Sequence, residues 1–165
     1  AKGHTLGAFG LTEPNAGSDA GGTKTKATLK GDYYEVNGGK IFITNASKAS
    51  VLSFTSKVEI EGKNLGIGAF IIPTSIKGWE MGGKEKKMGW RSSDTRQIFF
   101  NKMRIPKDSM MGKPGEGFKK FLKTLVSGRI SIGALSLGTA IGAYEKALNY
   151  SCERKSFGKK FNFIR

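Results

Sequence analysis

The chain has 165 residues (17.8 kDa), 28 Lys and Arg against 13 Asp and Glu for a formal charge of +15, 38% hydrophobic residues and 24 glycines. A single Cys (Cys152) and a single His (His4) argue against a disulfide framework, a multi-Cys zinc site and a Ser–His–Asp triad. No unbroken apolar run approaches the ~18 residues of a membrane span, and no secretory leader pattern opens the chain, which predicts a reducing cytoplasm or organelle matrix rather than secretion.

Residues 5–109 hold short apolar stretches divided by turn residues. A strand-like run at Phe9 enters a loop of Pro, Asn, Gly, hydroxyl and carboxylate residues. Lys24–Leu29 alternates up to Lys30-Gly31-Asp32, and Tyr33–Val36 resumes before Asn37-Gly38-Gly39. Asn-Gly between apolar stretches predicts a hairpin, because a type I′ turn needs positive φ twice. Lys40–Thr44, Ser50–Val58, Ile67–Ile72, Arg96–Phe100 and Met103–Ile105 also read as strands, with Gly31, Gly62, Gly78 and Pro106 between them. Short strands at this spacing predict an antiparallel β-barrel or sandwich.

From Gly115 the period changes. Phe118, Phe121, Leu122 and Leu125 recur at i, i+3, i+4, i+7, and Ile130, Ala134, Leu137, Ile141, Tyr144 and Leu148 continue the stripe. With no proline up to Arg165, a long helix is predicted, with a break or bend near Ser127-Gly128 or Gly133. Ile132 and Leu135 add a second stripe, so the helix needs partners on more than one side. A small β domain cannot supply them. The fold class is therefore mainly β followed by α, with domains at 1–112 and 113–165, the second a truncated start.

Four segments are candidates for chemistry. Phe9 to Asp19 offers backbone N–H groups and two hydroxyls, suited to a heterocycle edge or a phosphate, or it is a surface turn capped by Asx and Ser side chains. In Ile41-Phe42-Ile43-Thr44-Asn45 an aromatic and a hydroxyl share a face; they would flank a flat ring or, as is commoner, be core packing. Met88 to Arg96 is an anion-binding loop or, preferably, a turn in which Asp94 pairs with Arg96. Glu153 to Lys160 closes the helix with cations that complement its dipole or clamp a pyrophosphate.

Taken in order, Leu-Thr-Glu-Pro-Asn-Ala-Gly-Ser-Asp (11–19), Asn-Gly-Gly-Lys-Ile-Phe-Ile-Thr-Asn (37–45), Met-Gly-Trp-Arg-Ser-Ser-Asp-Thr-Arg (88–96), Ile-Pro (105–106) and Glu-Arg-Lys-Ser-Phe-Gly-Lys (153–159) resemble the acyl-CoA dehydrogenase family. The resemblance covers the family's middle β domain and the first long helix of its C-terminal helical domain. It implies an FAD-dependent enzyme that removes hydrogens from the α and β carbons of an acyl-CoA thioester. It also implies electron-transfer flavoprotein as acceptor, a homo-oligomer (dimer or tetramer) sharing FAD across subunits, and a bacterial cytoplasmic or mitochondrial matrix location.

By residue, the resemblance places Phe9, Gly10, Leu11 and Thr12 along the flavin ring and Ser18 between FAD and acyl-CoA. It places Phe42, usually Trp, beside the flavin face away from substrate, with Ile43 next to it and the Thr44 hydroxyl near the reactive nitrogen. Arg154, Lys155, Ser156 and Phe157 would reach the FAD of a neighbouring subunit, and Arg129 would hold CoA. Val126 stands where many members have an Asp contacting CoA. Gly128 stands where a few members have the catalytic Glu, so the base is expected beyond Arg165 and the isolated chain is expected to be inactive. Two other readings remain: a non-catalytic FAD- or acyl-CoA-binding or assembly module, and a basic nucleic-acid-binding domain. The second rests on charge, +13 in residues 86–165 against +2 in residues 1–85, but no nucleic-acid motif accompanies it. No metal and no membrane partner is expected.

Overall fold

The computed structural model describes residues 2–161; Arg165, to which the predicted helix was extended, lies outside them. Seven strands form one sheet: β1 (Leu6–Gly10), β2 (Lys26–Lys30), β3 (Tyr33–Thr44), β4 (Ala49–Ile60), β5 (Lys63–Pro73), β6 (Trp79–Lys84) and β7 (Thr95–Pro106). They are followed by helix α1 (Gly117–Glu153) and a two-stranded hairpin, β8 (Lys155–Ser156) and β9 (Lys159–Lys160). The mainly β then α class is as expected, but the sheet is mixed and no closed barrel is found among the described residues.

The parallel element centres on β4. One edge of β4 pairs antiparallel with β5, while the other takes β1 in parallel at 49–54 and β2 in parallel at 57–59. A parallel pairing needs a long connection: residues 11–48 lie between β1 and β4, and residues 31–48, which include β3, between β2 and β4, while residues 11–25 join β1 to β2. From β2 the sheet continues antiparallel through β3 and β7 to β6.

The Asn37-Gly38 hairpin does not form. β3 runs unbroken through it, and the tight turn falls at Gly31-Asp32, where Lys30 faces Tyr33 and Gly31 has φ 65°. Gly31 supplies positive φ at the first loop position of a two-residue turn, which is where glycine is required. Asn37 and Gly38 instead mark a bulge. The Asn37 Oδ1 accepts the Lys102 N–H at 2.8 Å, and a Cβ on Gly38 would stand 2.7 Å from the Thr25 Cα. Here the glycine permits close approach between backbones rather than a reversal.

One face of the sheet buries Tyr34, Val36, Leu52, Phe54, Val58, Phe70, Ile72, Ile98, Phe100, Met103 and Ile105. Side chains of this size each contribute about 1.5–3 kcal/mol on burial. Phe54 stacks on Phe70 at 5.5 Å and meets Phe100 at 4.8 Å. Ser56, on the same strand, is fully buried and its hydroxyl has no partner.

The chain divides into two compact units, Ala1–Leu122 and Lys123–Arg165. The first unit includes the opening turn of α1, which is seated on β5. Gly117 is buried there, a Cβ on it would overlap the Ala69 nitrogen and the Gly68 carbonyl carbon, and Met111 N–H reaches the Ala69 carbonyl at 2.8 Å. Within the second unit α1 is continuous through Ser127-Gly128 and Gly133, so no break occurs there. The apolar stripe of the helix is exposed from Val126 to Leu148. An 18-residue window of α1 has mean hydropathy 1.3, long and apolar enough by composition to cross a membrane, which a search for unbroken apolar runs misses because its small and hydroxyl residues dilute them. Core helices of soluble proteins pass the same test.

Two substitutions test this packing in opposite directions. Gly117→Ala is expected to lower stability by ~3 kcal/mol, since a methyl forced against backbone has no soft neighbour to displace. Ser56→Ala is expected to be neutral or to stabilise by about 1 kcal/mol, because it removes an unpaired buried hydroxyl. Thermal unfolding followed by circular dichroism measures both, and an unchanged midpoint for Gly117→Ala would refute the seating of α1 on β5.

Candidate functional site

The connection from β1 to β2 should be loose by composition, yet a buried ion pair fastens it at both ends. The Lys40 side chain is fully buried, and its Nζ donates to Glu13 Oε1 at 2.8 Å, the Leu11 carbonyl at 3.1 Å, Thr23 Oγ1 at 3.1 Å and Thr55 Oγ1 at 3.2 Å. Glu13, 5% exposed, also accepts the Thr23 hydroxyl, the Lys24 N–H at 2.6 Å and the Thr25 N–H at 3.1 Å. Such saturation is what an ion pair needs to persist out of water.

Burial pushes the Glu13 carboxyl up. The hydrogen bonds from Lys40, Thr23, Lys24 and Thr25 outweigh it and bring the pKa from 4.5 down to about 2. Burial also draws the Lys40 ammonium below its ordinary 10.5, while the hydrogen bond and charge of Glu13 act against that shift. Neither residue was singled out from sequence. The signal that was available is a Lys that directly precedes the apolar run Ile41-Phe42-Ile43 in a strand.

The pair sets the neighbours of the expected flavin-side residues. The Thr12 carbonyl accepts the Ile41 N–H at 2.8 Å, which brings the end of β1 against the 41–44 segment of β3. The β3–β7 register shifts between Lys40 and Ile43, and Phe42 adopts φ 60°. A left-handed aromatic is uncommon and costs about 1–3 kcal/mol. The result is that Phe42 is 60% exposed and Thr44 is exposed, while Ile43 between them is buried. The commoner expectation, that Phe42 packs in the core, is overturned.

The far end of that segment is also pinned. Asp94 accepts the Ser47 N–H at 3.0 Å and Arg96 Nε at 2.9 Å, its carbonyl accepts the Asn45 N–H at 2.9 Å, and Arg96 Nη1 donates to the Gly82 carbonyl at 3.1 Å. Burial would raise the Asp94 carboxyl, but Ser47 and Arg96 hold it below its usual value. This is the structural pairing preferred from sequence for the 88–96 loop.

Other expected residues take varied positions. The Phe9 ring is half-buried and stacks on Phe121 at 4.3 Å, and Leu11 is buried with its carbonyl engaged by Lys40. Gly10 is a packing glycine, since a Cβ there would lie 3.1 Å from Phe54 Cβ and 3.4 Å from Lys40 Cγ. Ser18 is exposed. The first unit thus bonds the main chain of Thr12 to the residue before Phe42 and exposes Phe42 and Thr44 on one strand: an aromatic and two hydroxyl-bearing residues in one neighbourhood, residue types that suit the face and polar edge of a flat heterocycle such as a flavin.

In the second unit, Arg129 is exposed and lines a shallow groove with Leu125, Gly128 and Ile132. The 153–160 segment does not cap the helix with cations, as α1 ends at Glu153 with no basic residue in its last turn. Its cations fall in the β8–β9 hairpin, whose tip is Phe157 (96% exposed, φ 49°) and Gly158 (φ 75°). Arg154 and Lys155 are exposed and Ser156 is half-buried.

Two family models match the chain: "Acyl-CoA dehydrogenase, middle domain" over residues 8–103 and "Acyl-CoA dehydrogenase, C-terminal domain" over residues 115–163. A short-chain specific acyl-CoA dehydrogenase of Clostridium acetobutylicum is 46% identical over 162 residues, 98% of this chain and 43% of that protein. A solved chain from work on the electron transferring flavoprotein of Acidaminococcus fermentans has TM-score 0.92 and 43% identity, over 99% of this chain and 43% of that one. An acyl-CoA dehydrogenase complexed with FAD from Bacillus anthracis has TM-score 0.88 and 34% identity, over 95% of this chain and 26% of that one. The chain therefore spans less than half the length of these relatives.

The pH dependence of Glu13 follows from its lowered value. Its contribution to stability, roughly 3 kcal/mol, is complete above the ordinary 4.5 and disappears as pH falls toward about 2. Glu13→Gln leaves Lys40 buried without its counter-charge and is expected to cost ~3–5 kcal/mol at neutral pH. In denaturant titrations the gap between the two proteins should narrow steadily below pH ~5; a gap constant with pH would contradict the ion-pair assignment.

Proposed function

The chain belongs to the acyl-CoA dehydrogenase family, and on that premise we propose that it forms the flavin-facing part of an FAD-dependent acyl-CoA dehydrogenase. The observation that carries the reading is the exposure of Phe42, in its left-handed conformation, on the same strand as exposed Thr44, with the Thr12 main chain bonded to the preceding residue, Ile41. Aromatic side chains and nearby hydroxyls serve the two needs of a flat, amphipathic ring: stacking on its face and hydrogen bonding at its edge.

In this reading the boundary between the middle and helical domains falls near residues 112–113. Thr12 and Thr44 bond the polar edge of the ring, Phe42 covers the face away from substrate, and the main chain of Phe9, Gly10, Leu11 and Ile43 lines it. The side chains of Leu11 and Ile43 are buried, so those residues contribute through backbone groups. Ser18 stands between cofactor and acyl-CoA, and Arg129 engages the CoA phosphates. Arg154, Lys155, Ser156 and Phe157 serve the cofactor of a second subunit in a dimer or tetramer, Arg154 through directional guanidinium bonds.

FAD, when bound, supplies a ring that accepts a hydride from the β-carbon. The chain's own residues orient the α–β bond against that ring and exclude water. The Glu that takes the α-proton is assigned to sequence outside this segment. The electron acceptor is electron-transfer flavoprotein, in the bacterial cytoplasm or mitochondrial matrix, and the isolated 165-residue chain is inactive.

The protein expressed from its complete gene is expected to purify with flavin absorbance and to reduce a dye acceptor with a short-chain acyl-CoA. Thr12→Val and Thr44→Val should each weaken FAD binding roughly tenfold, the worth of one hydrogen bond to a buried ring edge. Fluorescence titration of the apoprotein reads both values. Full affinity in both variants, or a colourless protein that FAD does not reconstitute, would remove the proposal.

A further inference from the structure

Lys40 has no part in the chemistry described above, yet three consecutive residues of the β1–β2 connection are bonded to it or to its neighbour. Leu11 gives its carbonyl to Lys40 Nζ at 3.1 Å, Thr12 gives its carbonyl to the Ile41 N–H at 2.8 Å, and Glu13 gives its carboxylate to Lys40 Nζ at 2.8 Å. The residue that carries the proposed flavin-edge hydroxyl is thus held on both sides by one ammonium and in the middle by the adjacent peptide. Thr55 Oγ1, at 3.2 Å, anchors the same ammonium to β4, the central strand. Gly10 leaves room for the lysine stem to pass, with a would-be Cβ 3.4 Å from Lys40 Cγ.

We propose that Lys40, with Glu13 as its counter-ion, is a positioning residue that sets the placement of Thr12 against Phe42 and Thr44, and so the affinity and electronic environment of the flavin edge. The inference rests on the FAD reading above. It assigns the pair a role distinct from holding the fold together. Stability alone requires that the ammonium's donors be filled, by whichever acceptors; what points to positioning is that the acceptors include the carbonyl directly before the threonine, while the peptide next to Lys40 bonds the threonine itself.

The two roles separate in the protein expressed from its complete gene. Lys40→Met alone strands the Glu13 carboxylate and is expected to destabilise. The double variant Lys40→Met with Glu13→Gln leaves neither charge buried, so most thermal stability should return. If Lys40 positions Thr12, the double variant still binds FAD roughly tenfold more weakly, as Thr12→Val does, and its flavin absorption maximum shifts in the same direction. Amide exchange at Ile41 should accelerate in the double variant even without FAD. Thr55→Val, which keeps the ion pair and removes only the anchor to β4, should show the same spectral shift to a smaller degree, and it serves if the double variant does not fold. Restored stability with wild-type FAD affinity, spectrum and Ile41 protection would overturn the positioning role. Wild-type protein that binds no FAD would overturn the FAD reading and this inference together, whereas normal wild-type binding with unaffected variants overturns this inference alone.

Discussion

A single buried ammonium organises the part of this protein where its chemistry is expected. Lys40 lies in β3, fully enclosed, and links Leu11 just after β1, Thr23 just before β2 and Thr55 of the central strand β4. Withdrawing an ammonium and a carboxylate from water costs several kcal/mol per ion, and their attraction offsets it only when the remaining bonding capacity is filled. Here it is filled on both sides, by hydroxyls, a carbonyl and backbone N–H groups. A purely apolar plug at the same place would hold the sheet as well. It would not fix the direction of a fifteen-residue connection, because apolar contact has no directionality.

The mixed topology follows from the same connection. β1 and β2 occupy successive stretches of one edge of β4, so the chain must leave that edge after β1 and rejoin it, in the same sense, at β2. Residues 11–25 make that excursion, and its two ends meet at the Glu13 carboxylate. The loop is thereby closed into a short stapled arc that exposes Ser18 and leaves Thr12 half-buried. On the other edge of β4, β5 carries the start of α1 on a backbone contact that only glycine allows at position 117. Both edges of the central strand are thus bound to elements outside the antiparallel meander.

Strand and helix periodicities are local, and they were legible: the strand-rich region up to residue 109 and the long helix after residue 115 stand where the patterns put them. What was not legible is non-local. Antiparallel neighbours follow from short turns, but the parallel β1–β4 and β2–β4 pairings depend on where the chain returns after the longer stretches 11–48 and 31–48. Asn37-Gly38 reads as a turn because the dipeptide tolerates positive φ. Whether that freedom serves a reversal or a bulge depends on Thr25 and Lys102, which are distant in sequence. Lys40 reads only as the first residue of a strand, and its burial shows only once Glu13, 27 residues away, is placed against it. Phe42 reads as core because aromatics usually are, and only the bulge and its positive φ turn it outward. The ordered motifs were a stronger guide to family than any one residue was to position.

The concentration of positive charge in residues 86–165 first suggests a polyanion. In the structure, several of these cations serve as hydrogen-bond donors to their own loops. Lys87 Nζ donates to the Ser93 carbonyl and Thr95 Oγ1, both at 2.9 Å, and Arg91 Nε reaches the Lys87 carbonyl at 3.2 Å. Arg96 is held between Asp94 and the Gly82 carbonyl, and Arg104 lies over the Tyr33 ring at 5.1 Å. A guanidinium or ammonium bonded to carbonyls keeps its formal charge while its donors are committed to shaping the loop, so a count of charges overstates what is available to a ligand. Arg129, Arg154 and Lys155 stand exposed on the helix and at the terminal hairpin, as do Lys119, Lys123, Lys146, Lys159 and Lys160. Arg154 and Lys155 lie in the 153–159 motif and Arg129 on the helix before it, so it is the family resemblance that singles these three out among the exposed cations.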